Sequence, residues 1–538
     1  MTLKSLQFPP NAVIIAGAGI AGLCSAYQAI QNGANVILID KNLQMGGNSS
    51  LASTGINGIK YDEDFSTTKS GDSHLTISDE MMLSSFNCLD SPDLFKHDLI
   101  MSSKMGNPKK ELSGLTRKLI DMLCDHCVDS VRWLEKISPD LKFDRKVSVP
   151  GCSYGRTLCF RDGKLPGFVI LQCLLNLFLE KCKTFPEKYM LLNHCKLIDF
   201  IKNDTDDGIL GVICDYSEND VKSRIELFGP VILATGGFGH SFEFISKYKH
   251  DLDNFATASK ETCVSEVIEL VVKAGGELTN MDNFQMIATG LVPFDSDFKA
   301  FDKVSICSKD VLKCGILINE DMKVMNGSGQ SNERICKLMS KSKNNYLVLD
   351  SNEAKFNQTL SSLDKRAYIT KITVSKLTTY LKTDVSTLTK LLCSNGIDCK
   401  HIKVLRLAPT IHIPLGGLKV TETMELEGVK NCYATGEIVG GIHGAKMIIG
   451  TALLSCVVFG RMAADNATSF LLSKLSNKVS NRSAIDRLTQ LQNHLNPSNE
   501  IITEQFKIPD NEYQIEEIAK HNSKDDCWLV VKNVVLDL

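Results

Sequence analysis

The stretch Asn11 to Lys41, NAVIIAGAGIAGLCSAYQAIQNGANVILIDK, decides the fold. Ala12 to Ala16 is a short apolar run suited to a buried parallel strand, Leu23 to Gln31 repeats its apolar residues at helical spacing, and Val36 to Ile39 is a second apolar run. Gly17, Gly19 and Gly22 lie between the first strand and the helix, and Asp40 ends the second strand. Strand, glycine turn, helix, strand and acid make a complete βαβ unit carrying the full dinucleotide fingerprint. Its glycines let backbone amides meet a pyrophosphate at a helix N-terminus, and Asp40 can accept hydrogen bonds from a ribose.

Composition narrows the remainder. With 538 residues the chain is long enough for two or more sizeable cores, and 43% hydrophobic with 23% charged residues is ordinary for a globular protein. A net charge of −3 supplies no footprint for nucleic acid or anionic membrane. The nineteen cysteines are scattered and odd in number, which predicts reduced thiols. Cys124 and Cys127 fall inside a helical pattern without a second pair at zinc spacing, so they read as small hydrophobes rather than metal ligands. No charged n-region with an apolar h-region precedes the first strand, and no apolar run reaches the roughly 18 residues of a membrane span. The expectation is a cytoplasmic protein.

Further along, residues 110 to 137 and 168 to 184 read as helices, and a β-rich part follows to VILATGGFG near 231 to 239. Residues 283 to 412 are irregular and richer in Lys, Ser and Asn, as an inserted domain would be. Strand-and-glycine style returns in IHIPLGGLKV and VKNCYATGEIVGG, and GTALLSCVVFGRMAADNA reads as a closely packed helix. The predicted fold is α/β: a Rossmann-like domain from 8 to 282 and 413 to 468, interrupted by an α+β capping domain from 283 to 412. A linker over 469–510 and a final segment over 511–538 follow.

A second loop directly after the acid, DKNLQMGGNSSLASTGIN, offers donors for more of a cofactor. At these residues the chain resembles the soluble fumarate reductases and flavocytochrome c fumarate reductases, relatives of the succinate dehydrogenase flavoprotein. AGAGIAGLCSA, MGGNSSLASTGING, VILATGGFG, PTIHIPLGGLKV, YATGEIVGGIHGA and LLSCVVFGR carry the resemblance, in family order, over about residues 10 to 465. It implies FAD, bound covalently or not, under a mobile cap with fumarate between them. The implied FAD contacts are Gly17, Gly19, Gly22, Asp40, Lys41, Gly46, Gly47, Asn48, Ser49, Gly55, Asn57, Thr235, Gly236 and Glu437, with His443 beside them in the flavin-facing loop. The helix beginning near Gly450 should aim its N-terminus at the ring and stabilise negative charge on it.

The resemblance also implies hydride transfer to one alkene carbon and proton transfer from an arginine to the other, with histidines and a second arginine gripping two carboxylates. His412 stands where a carboxylate-binding histidine is implied, and Thr289 with Gly290 remain from a His-Pro-Thr-Gly stretch. The histidine of that stretch falls on Ile287, the proton-donating arginine on Val324, the substrate arginine on Met447 and a further histidine on Leu158. Lys323 and Lys446 stand one residue early, on the wrong side of a strand or about 100° around a helix, and lysine lacks the planar fork that matches a carboxylate. Arg156, Arg161, Arg334 and Arg406 are candidates for an altered anion site.

The expected function is therefore an FAD-dependent oxidoreductase of the soluble fumarate reductase type with weakened turnover of fumarate. An enzyme on a less charged substrate in an apolar pocket of Ile287, Val324 and Met447 is one alternative. A silent flavin-binding protein is the other. The partners are a small-molecule substrate and an unidentified electron donor. EIAKHNSKDDCWLVV resembles the opening of a cytochrome b5 domain, with Trp528 implied as a core residue; the haem-ligating part of that pattern is absent, so no haem is expected.

Overall fold

The computed structural model describes residues 7–61, 90–105, 111–203, 208–218, 221–252, 254–326, 330–349, 357–399 and 402–478, with strand backbone at 522–523, 526–531 and 534–537. Five parallel strands form the organising sheet: β1 (Ala12–Ala16), β2 (Asn35–Ile39), β3 (Tyr189–Leu192), β4 (Val231–Leu233) and β5 (Cys432–Ala434), in the spatial order β5-β4-β1-β2-β3. All five residues of β1 are buried, which is why the run is uniformly apolar. The strand order turns at β1, so the loops after β1, β4 and β5 converge on one crevice.

Helix α1 (Ile20–Gln31) follows β1 directly and begins at the fingerprint turn itself, three residues before the apolar periodicity becomes visible. Helix α2 (Thr451–Lys478) crosses it closely. A Cβ on Gly460 would lie 2.8 Å from the Ala21 carbonyl oxygen, and the Ser25 hydroxyl donates to the Gly460 carbonyl at 2.8 Å. Glycine here lets two helices touch backbone to side chain. α2 continues ten residues past the expected end at 468, because Leu471 and Leu475 keep meeting the core, so the start of the expected linker is helical.

The helical stretch at 110–137 is two helices, Gly114–Asp125 and Cys127–Ile137, separated at His126. Cys124 and Cys127 are both buried, and burial pushes the Cys127 thiol up to about 11 and that of Cys124 higher still. Both behave as core residues rather than reactive thiols.

A second, seven-stranded mixed sheet is built on Ile402–Pro414, a 13-residue strand flanked by Phe284–Val292 on one side and Asn345–Leu349 on the other. Sequence reading finds only its last residues as a strand. Pro409 and the charged Lys403 and Arg406 obscure a pattern that is otherwise almost wholly buried. Phe284 pairs with Pro414, so the chain enters and leaves this sheet side by side. Beyond α2, Asn522–Ser523, Asp526–Val531 and Val534–Asp537 form a three-stranded antiparallel sheet. His521 and the side chain of Trp528 lie outside the described residues.

Candidate functional site

The crevice is built from glycines that could be nothing else. Gly17 has φ +106°, and a Cβ there would sit 2.3 Å from the Ala234 carbonyl oxygen; a Cβ on Gly22 would sit 1.9 Å from the Gly17 carbonyl oxygen. The turn, β4 and α1 are thus in backbone contact. Gly47 (φ +46°) and Gly236 (φ +81°) have open space where their side chains would be, as a surface that receives a ligand requires. Ser49 is laid over the fingerprint: its hydroxyl accepts from the Ile20 amide at 3.2 Å and caps α1, where a Cβ on Gly19 would be 3.3 Å from it. Gly46 (φ +109°) and Gly55 (φ +146°) hold that second loop against Leu171 and Leu158.

Asp40 ends β2 as expected and its carboxylate faces the turn, accepting from the Ala18 amide at 2.9 Å and from the Asn42 amide at 2.9 Å. Lys41 points away to Glu266 at 3.5 Å. Asn57 holds the start of α2, donating to the Ile449 carbonyl at 2.9 Å and the Thr451 hydroxyl at 3.0 Å and accepting from Thr157 at 2.6 Å. Its place is that of a positioning residue. Thr235 is partly exposed at the end of β4.

Asn48 and Glu437 meet, the amide donating to Glu437 Oε2 at 3.1 Å. Glu437 Oε1 is sealed from solvent without a partner, although part of the side chain faces the crevice. Burial pushes this carboxyl up to about 7, against the lowering effect of Asn48. An unpaired buried oxygen beside open glycine backbone fits a cofactor hydroxyl or ring nitrogen. Two residues here go beyond those expected from the sequence. Lys260 donates its backbone N–H to Asn48 Oδ1 at 3.0 Å and its ammonium to Ser50 at 2.9 Å, with burial lowering its pKa. The Thr435 hydroxyl is buried unpaired at the end of β5. Thr435 lies inside YATGEIVGGIHGA but is not singled out there, whereas Lys260 belongs to no motif and only the folded chain brings it in. Together the cradle, the acid at β2 and the unpaired oxygen fit a flavin dinucleotide.

Above the crevice, His412 is the extra residue of a bulge. Gln285 pairs with Ile413 and Met286 with Ile411, so His412 has no opposite number, and bulges characteristically re-aim side chains beside functional sites. Its imidazole keeps some accessible surface yet lies deep enough that burial lowers its pKa to about 4; His443, on the facing loop, is lowered to about 4 in the same way. Both rings are neutral at physiological pH. A second irregularity lies between Ile287 and Gly290, opposite Pro409, which cannot donate to the ladder. Thr289 sits in it, fully buried, donating to the Cys307 carbonyl at 2.7 Å. A Cβ on Gly290 would be 1.9 Å from the Thr410 hydroxyl. These two residues hold the sheet rather than face the crevice.

Met447 is buried, and its amide donates to Gln285 Oε1 at 2.9 Å across to the second sheet. Lys446 lies 3.9 Å from Glu333. Ile287 is buried in the Phe284–Val292 strand, but Val324 is exposed beyond Gly315–Asn319, at the far edge of that sheet. Leu158 is fully buried, paired with Ile56. The candidate arginines serve elsewhere. Arg156 is fully buried between Asp90 (2.7 Å) and Asp98 (2.5 Å), 4.7 Å from the Phe95 ring centre. Arg406 donates to the Ser296 and Phe294 carbonyls and to Asn344. Arg161 donates to the Asp144 carbonyl, and Arg334 is on the surface. Among the described residues no cluster could hold a metal ion, and no helix is long and apolar enough to cross a membrane.

A family model described as FAD binding domain matches residues 12–453, so the chain belongs to that family, and it is an FAD-binding oxidoreductase related to fumarate reductases. Fumarate reductase 1 of Saccharomyces cerevisiae is 28% identical over 494 residues, covering 84% of this chain and 98% of that protein. In structure, the open conformation of a flavocytochrome c3 fumarate reductase matches with a TM-score of 0.71 at 22% identity, over 86% of this chain and 78% of the other. The 3-ketosteroid Δ1-dehydrogenase of Sterolibacterium denitrificans, in complex with 1,4-androstadiene-3,17-dione, matches at 0.63 and 13%, over 85% and 99%.

Proposed function

We propose that the chain acts on a carbon–carbon double bond conjugated to a carbonyl, in a substrate carrying less negative charge than fumarate. One observation carries this reading: at the position implied for a carboxylate-gripping arginine, Met447 is buried and tied to Gln285, whose strand partner Ile413 follows the neutral His412. The fumarate reductase of Saccharomyces cerevisiae supports the reaction type. The steroid dehydrogenase shows that this fold can enclose an uncharged ligand.

Bound FAD would supply the two-electron hydride chemistry. The chain's residues do the rest: the 17–22 turn and Asn48 with Glu437 hold and orient the dinucleotide, and His412 offers one neutral imidazole hydrogen bond to a carbonyl. Met447 and Ile287 exclude water from the alkene. We read residues 283–412 as the cap that closes over this site, supported by the adjacent entry and exit at Phe284 and Pro414. A reducing, cytoplasmic setting accords with seventeen free thiols among the described residues. Losing a charge partner costs a carboxylate ligand on the order of 2–5 kcal/mol. The test supplies reduced viologen dye and compares fumarate with its monomethyl ester and with an uncharged enone. The ester or enone should be reduced faster, and fumarate turned over as fast as either would overturn the proposal.

A further inference from the structure

Far from the crevice, the helix Val385–Ser394 ends in a turn that brings two cysteines together. The Gly396 amide donates to the Cys393 carbonyl and the Ile397 amide to the Leu392 carbonyl, both at 3.0 Å, with Gly396 at φ +78°. This is a Schellman motif with its customary apolar contact: Leu392 and Ile397 are both buried in one cluster. The motif folds the chain back on the helix, leaving Cys393 and Cys399 with their sulfurs 3.2 Å apart. Cys393 is the one exposed thiol among the seventeen free cysteines of the described residues. An exposed thiol with a second one already in contact is an arrangement that solvent oxidants reach and the partner resolves.

We propose that Cys393 and Cys399 form a reversible dithiol–disulfide couple on the surface of this domain, oxidised by small-molecule disulfides. The Cys393 thiolate attacks one sulfur of the external disulfide, forming a mixed disulfide and releasing one thiol. The Cys399 thiolate then attacks the Cys393 sulfur, closing the internal bond and releasing the second thiol, so two electrons and two protons leave the protein. Closure ties the helix end to the chain entering the Ile402–Pro414 strand, whose other end carries His412. Burial, with the neighbouring Cys393 sulfur, pushes the Cys399 thiol up to about 11.

The test equilibrates the folded, full-length protein in glutathione buffers of graded ratio, quenches with an alkylating agent and maps the tryptic peptide Leu391 to Lys400, which holds both cysteines. The expected product is that peptide lighter by about two mass units and unalkylated, with a single midpoint across the series. Cys393→Ser and Cys399→Ser should instead each retain one glutathione, with unchanged flavin content. Two alkyl groups or two separate glutathiones on the wild-type peptide at oxidising equilibrium would overturn the proposal. So would closure only after unfolding.

Discussion

Replacing Glu437 by glutamine isolates the electrostatics of the cofactor crevice. In the cofactor-free protein Glu437 Oε1 is sealed without a partner and the carboxyl is pushed up to about 7, from about 4.5 in an unfolded chain. Between these values the folded state holds a proton that the unfolded state has released, so the Glu437 contribution to stability falls as pH rises from about 4.5 to about 7 and is level above. A shift of about 2.5 units corresponds to about 3 kcal/mol. Glu437→Gln keeps the shape and the acceptor for Asn48 but has no charge to desolvate. The variant should therefore gain about 3 kcal/mol over wild type at pH 8 and nothing below pH 4.5. For a chain of this size that is about 3 °C in Tm, at about 2 cal/mol/K per residue. His412 and His443 titrate in both proteins and cancel in the difference. Paired melting curves of the apo-proteins from pH 4.5 to 8 provide the assay. A Tm difference that does not change with pH would refute the argument that this carboxyl is buried and unpaired.

Three further outcomes follow from the geometry. Arg156→Met leaves Asp90 and Asp98 buried without their cation and should cost about 3–5 kcal/mol, read as a lowered Tm; Asp90→Asn with Asp98→Asn in the same background should recover much of it. Gly22→Ala drives a methyl to within 1.9 Å of the Gly17 carbonyl oxygen, so the purified variant should carry less than a tenth of the wild-type flavin by absorbance at 450 nm, on the order of 1.4 kcal/mol or more in affinity. Met447→Arg places an unpaired charge in a buried position; it should melt below wild type and be raised by fumarate, whereas wild type is not.

The first βαβ unit was legible almost to the residue, because a buried parallel strand needs an unbroken apolar run and a dinucleotide turn needs its glycines. Ala12–Ala16 and the end of α1 at Gln31 stand where the pattern puts them. The Ile402–Pro414 strand was not legible over its first half, since a proline and two cations interrupt it; the structure tolerates them with a bulge at Pro409 and with Arg406 donating to three carbonyls. The site divides the same way. The glycines announce themselves through backbone geometry, whereas Lys260 and Gln285 act through contacts between segments 160 residues or more apart in sequence. Asn57 and Thr289 were recognisable by position, but their hydrogen bonds hold backbone, a duty no motif records.

The central claim is that the substrate crevice has lost its grip on a second carboxylate. The most direct measurement is equilibrium binding to the oxidised flavoprotein, followed by the change in flavin absorption as fumarate or its monomethyl ester is added. Loss of a charge partner worth about 2–5 kcal/mol predicts fumarate binding weaker than the ester by about thirtyfold or more. Fumarate binding as tightly as the ester, or more tightly, would contradict it.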